Sequence, residues 1–204
     1  MSRLVLLSFL LFIAQHAVAQ DDSTVRTGIA VNAGELINIL RGEPNVRLSV
    51  EQRFFKHYAL MAEGGKYFIG SGYNFRAMLK FYDLKLGKPG TFNYIGLAWT
   101  VKDHSYREPV EYYTDSNQTR VSSVRLYVRK QAMCYDIVIG SCYRDGPFYF
   151  DGYLGLGVRI RDVGGITQAQ YDQMEDNIGR SFELIPGHHV TPDIMIGIRV
   201  GIAR

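Results

Sequence analysis

The chain is poor in cysteine, in charge imbalance and in long apolar runs. Two cysteines among 204 residues exclude a disulfide-built fold. Cys134 and Cys142 fall on one face of one expected strand, roughly 26 Å apart at about 3.3 Å per residue. A bridge needs Cα atoms within about 7 Å, so both are read as free, small, inward-facing residues. Formal charge is only +3, which gives no footprint for nucleic acid. Beyond residue 19 the longest stretch without Asp, Glu, Lys or Arg is Pro89 to Val101, too short for a membrane-spanning helix. If the mature chain crosses a membrane, it does so as a closed barrel, because open strand edges leave backbone groups unsatisfied in hydrocarbon. Neither a cofactor motif nor a metal-ligand spacing stands out, and no catalytic residue is assigned.

What is present begins with an export signal. Arg3, the apolar run Leu4 to Ala14 and Ala17-Val18-Ala19 form the three regions of a cleaved signal peptide, residues 1–19, with cleavage expected before Gln20. Loss of Arg3 leaves 22 basic against 20 acidic residues. Residues 20–204 are long enough for one domain.

That domain reads as strands. In Phe148 to Arg161 the even positions are apolar except Gly152, while the odd ones carry Asp151, Gly155, Gly157, Arg159 and Arg161, a period of two. Similar alternation marks Val25 to Gly34, Asn45 to Phe54, Tyr58 to Phe68, Asn74 to Asp83, Asn93 to His104, Ser122 to Tyr143 and Asp193 to Arg204. In Ser122 to Tyr143 the apolar positions change parity, from Val124, Leu126 and Val128 to Met133, Tyr135, Ile137 and Ile139. A β-bulge near Lys130 or Gln131 would restore the phase. Eight strands, with short links after the second, fourth and sixth and long ones after the fifth and seventh, though the first and third are short too, predict an all-β, eight-stranded antiparallel up-and-down transmembrane barrel. Its short turns and termini face the periplasm, and its long loops, 105–121 and 162–192, face outward.

If the apolar face meets lipid, the other encloses Arg47, Glu51, Arg53, Glu63, Arg76, Lys80, Asp136, Asp151, Arg159 and Arg199. An eight-strand barrel is only wide enough for side chains, so these charges are expected to pair and plug it. Gly96, Gly140, Gly155, Gly157, Gly197 and Gly201 are expected to leave room for the arginines. Phe54, Phe55, Phe68, Phe75, Phe81, Phe92, Tyr94, Trp99, Phe148 and Phe150 are expected to form outward interfacial girdles.

With eight strands, a Lys88-Pro89-Gly90 turn followed by Tyr94-Ile95-Gly96-Leu97, and the run Tyr153-Leu154-Gly155-Leu156-Gly157-Val158-Arg159, the chain resembles the small outer-membrane β-barrels of Bacteroidota. The likeness covers Val25 to Arg204. It implies a barrel in the outer membrane of a Gram-negative cell and no named activity. One departure is the end, Ile202-Ala203-Arg204, where many such barrels carry an aromatic.

Several residues invite a sharper role. His104 and Ser105, with His188, His189, Glu108 and Glu111, could supply the parts of a lipid A deacylase-like hydrolase, but adjacent strand residues point to opposite faces. Thr167 to Gln170 has capping-box spacing and Gly179 is a stop signal, so a short helix is expected there. Asp172, Glu175 and Asp176 on one face of it could hold a cation bridging lipopolysaccharide phosphates, or be a solvated acidic face. Tyr112, Tyr113 and Asp115 are candidate partner contacts, and Asn117-Gln118-Thr119 matches a glycosylation sequon of little weight. The expected function is a structural or surface-interaction barrel, without cofactor. Its expected partners are outer-membrane lipid, lipopolysaccharide and a surface lipoprotein or envelope protein. A lipid-modifying barrel enzyme and a secreted soluble ligand-binding barrel are the alternatives.

Overall fold

The computed structural model describes residues 27–35, 43–54, 57–84, 91–113, 121–172 and 183–203. The signal segment with its cleavage point, Phe55, the Lys88 to Gly90 turn, Asp115, the sequon, Glu175, Asp176 and Gly179 lie outside them. The chain forms eight strands: β1 (Thr27–Glu35), β2 (Asn45–Phe54), β3 (Tyr58–Tyr67), β4 (Ser71–Leu84), β5 (Thr91–Tyr113), β6 (Val121–Asp145), β7 (Phe148–Gly164) and β8 (Gly187–Ala203). Each pairs antiparallel with its sequence neighbour, and β1 pairs with β8, Ile29 opposite Ile202, to close the sheet into a barrel. The turn at Gly146–Pro147, the start of β1 and the end of β8 sit at one end, here the lower. The connection between β7 and β8 sits at the upper end and carries a single-turn helix, α1 (Gln168–Asp172). Its start has the expected reciprocal cap: Gln170 N donates to Thr167 Oγ1 at 3.2 Å and Thr167 N to Gln170 Oε1 at 2.9 Å.

The faces divide as the alternation demands. Leu97, Ile137, Leu156, Ile194, Ile196 and Ile198 stand exposed on the outer wall, whereas Arg47, Arg76, Lys80 and Arg199 are buried inside. Inside, an apolar cluster drawn from β3 to β8 packs Met61, Met78, Met195, Ala59, Ala98 and Val138 with Tyr82, Tyr94 and Tyr153.

Three expectations need correction. The bulge near Lys130 is absent, since β6 runs in unbroken register with β5 from Val121 to Tyr143 and with β7 from Arg129 to Asp145. Even residues face inward from Leu126 to Arg144, and the faces exchange chemistry instead of phase. From Met133 down to Ile139 the outer residues are apolar; above it they are Gln131, Arg129, Tyr127 and Arg125, while Val128 turns into a small interior cluster with Val163, Ile166 and Leu184. The same exchange recurs on β7, where Ile160 gives way outside to Asp162 and Val163 points in. Second, most of the expected loop 105–121 is strand: Ser105 to Tyr113 pair with Arg129 to Val121, placing Tyr112 opposite Ser122 and Tyr113 opposite Val121. Third, Phe92 and Tyr94 do not join an outer girdle, because their parity on β5 points them inward. Phe68, Phe81, Trp99, Phe148 and Phe150 do lie exposed.

Candidate functional site

The interior holds one continuous ion network. Glu63 on β3 is its upper centre: Arg199 Nε donates to Oε1 at 2.5 Å, and Arg76 and Arg47 approach Oε2 at 3.2 and 3.5 Å. Arg199 also donates through its NH1 group to Asp151 Oδ2 at 2.7 Å. Lys80 Nζ bridges that same oxygen, at 2.9 Å, to Glu51 Oε2, at 2.6 Å. Arg53 ends the chain 3.8 Å from Glu51, its guanidinium over the Tyr82 ring at 4.1 Å. Eight of the ten sequence-derived interior charges thus meet in one column. Asp136 is buried beside Gly157 in register, and Arg159 belongs to a separate cluster described below.

Tyrosines complete the column, and the sequence reading did not include them. Tyr94 donates to Asp151 at 3.0 Å, Tyr82 to Glu51 at 2.7 Å, and Tyr153 accepts from Asn32 at 2.7 Å while its ring lies under Arg199 at 3.9 Å. Their inward parity was the available signal. The glycines serve these rings more than the arginines. Gly140 stands opposite Tyr94 and Gly197 opposite Tyr153, and a Cβ at either would overlap the ring lying across it. Aromatic side chains covering cross-strand glycines are a known means of pinning sheet register.

At the upper end Arg159, Arg161 and Lys130 converge on Glu183, which descends from the β7–β8 connection; the distances are 2.7, 3.0 and 4.0 Å. Glu43, from the β1–β2 connection, lies 3.3 Å from Lys130. Neither glutamate lies in a strand, so alternation could not find them. Burial pushes the Glu183 carboxyl up, but the hydrogen bond and charge of Arg159, with Lys130 and Arg161, hold it below its ordinary value. Packed side chains leave a cavity of about 30 Å³ at the lower mouth, lined by Arg53, Phe92, Cys142 and Tyr149.

The hydrolase parts do not assemble. His104 points inward between Tyr67 and Tyr106, ring centroids 4.0 and 4.8 Å away, and donates from Nε2 to the Ile69 carbonyl at 2.6 Å. Ser105 faces outward against Ser71 Oγ at 2.9 Å. His189 bonds the Pro186 carbonyl at 2.9 Å, and His188 lies on β8, opposite Asp162. Cys134 and Cys142 are free and buried. Asp172 accepts from Gln168 at 2.7 Å on the exposed α1. Among the described residues no group of three or more His, Cys, Asp or Glu is arranged to hold a metal, and no helix is long and apolar enough to cross a membrane. No family model, curated protein or solved structure matches the chain.

Proposed function

We propose that the protein is a small integral outer-membrane β-barrel of a Gram-negative cell, akin to the small Bacteroidota barrels, with a plugged interior and a structural or surface-interaction role. One observation carries this reading: large apolar side chains cover the outer wall while four guanidinium or ammonium groups, Arg47, Arg76, Lys80 and Arg199, are almost wholly enclosed. A barrel dissolved in water has no reason to expose Ile194, Ile196, Ile198, Val200 and Ile202 in a row and desolvate arginines. A barrel in hydrocarbon does, and Ile194 to Ile202 matches the roughly 9 to 11 residues of a tilted crossing. The exchange of face chemistry at Met133 and Ile160 supports the same reading. Above that level the wall carries Asp103, Arg129, Gln131 and Asp162 as though in water, and the interior gains the apolar cluster of Val128, Val163, Ile166 and Leu184.

The test is fractionation. The protein remains in the membrane pellet after sodium-carbonate extraction and migrates faster unboiled than boiled in detergent gels; release into the supernatant refutes insertion. The plug predicts no porin-like conductance in planar bilayers. Surface exposure of the upper end is read by protease access to intact cells.

A further inference from the structure

The cluster at the upper mouth differs from the column beneath it in where its anion comes from. Arg159 and Arg161 stand two residues apart on β7, so both guanidiniums point inward, and Lys130 faces them from neighbouring β6. In the column, every cation meets a carboxylate rooted in a strand: Glu51, Glu63 or Asp151. Here the carboxylate at the focus is Glu183, whose two oxygens take one arginine each. Without it these cations would face Glu43 in the same chamber, with Asp136 and Asp193 in the row beneath. His104, 1% exposed, lines that chamber, its Nε2–H given to the Ile69 carbonyl.

We propose that the chamber is an oxyanion-binding site and that Glu183 is its built-in, exchangeable occupant. A phosphate- or carboxylate-bearing solute takes the place of the Glu183 carboxylate on Arg159, Arg161 and Lys130 when that side chain turns away. Guanidinium forks bind phosphate and carboxylate oxygens in the same paired geometry, so what holds Glu183 also fits the solute. The tethered glutamate competes at an effective concentration on the order of millimolar, which a dianion can overcome by its greater charge. The binding groups face the barrel axis and not the outer wall. The ligand is therefore a free solute, not the headgroup of an embedded lipid. This site depends on the geometry of the mouth and not on insertion in a membrane.

Inorganic phosphate is titrated by calorimetry into the full chain, folded in detergent, with folding checked by gel mobility. Glu183→Gln and Glu183→Ala are expected to bind phosphate about tenfold or more tightly than the parent chain, because the internal competitor is gone. Adding Arg159→Gln and Arg161→Gln to Glu183→Gln removes the binding. Absence of phosphate binding in the folded Glu183→Gln variant overturns the proposal, as does binding that survives loss of both arginines. If Glu183→Ala fails to fold, the near-isosteric Glu183→Gln carries the test. Preference for phosphatidic acid in micelles over inorganic phosphate overturns the assignment to a free solute.

Discussion

Glu63 holds three guanidiniums, Arg47, Arg76 and Arg199, in a place where water does not reach any of them. Removing one partner of a buried ion cluster leaves charge without compensation and costs about 3 to 5 kcal/mol. Glu63→Ala is therefore expected to lower the urea unfolding midpoint of the detergent-folded barrel steeply. Asp103→Asn, which breaks an ion pair with the half-exposed Arg129 on the outer wall, leaves that midpoint nearly unchanged. Glu183 adds a pH dependence. Its carboxyl is held below the ordinary value of 4.5, so the unfolded chain takes up the proton first as pH falls. The stabilisation is complete above the unfolded value and is lost as pH drops through the folded one. The thermal midpoints of the parent chain and Glu183→Gln should differ by a constant amount down to about pH 5 and converge below it. That the interior charges face inward was readable residue by residue from parity. Which of them pair was not, because Arg199 and Glu63 lie 136 residues apart and meet only when β8 closes on β1.

At the scale of the strand, β6 carries the clearest lesson. Its apolar residues change parity near Lys130, and two physical causes produce that pattern: an extra residue, or a strand that passes from one solvent into another. The unbroken register excludes the first, and on the proposed reading the second applies. Deleting Gln131 is therefore expected to turn every residue on one side of the cut to the opposite face, driving Met133, Tyr135 and Ile137 inward and abolishing the folded gel band. Glycines separate by face as well. Gly140→Ala collides with the Tyr94 ring and is expected to cost about 1 to 3 kcal/mol. Gly152→Ala, with open space where its Cβ would stand, gains a few tenths to about 1 kcal/mol by limiting the unfolded chain. Urea midpoints of the two variants, moving in opposite directions, check both.

For the whole molecule the decisive quantity is the solvent around the wall. On the proposed reading, Leu97 lies at mid-belt, so Leu97→Arg costs about 2 to 4 kcal/mol, falling toward zero at the edges of the belt. The same change at Tyr127, above the point where the wall turns polar, is expected to be nearly silent. Equal losses at both positions, measured by refolding into lipid vesicles, would place both in one environment and count against a hydrocarbon slab. The column from Arg47 to Arg53 runs through the lower and middle parts of the barrel, and the Glu183 cluster and the apolar group of Val128, Val163, Ile166 and Leu184 lie above it.

Alternation alone determined the eight strands and the division of residues between their two faces, because a period of two is a local property written in neighbouring residues. β2 is read from the sequence with the same bounds that the structure assigns it, Asn45–Phe54. Closure decided the rest. The pairing of Glu63 with Arg199, the seating of Tyr94 and Tyr153 over glycines, and the descent of Glu183 from a connection onto Arg159 and Arg161 all join residues distant in the chain. No local pattern encodes those distances; the register of the closed sheet sets them.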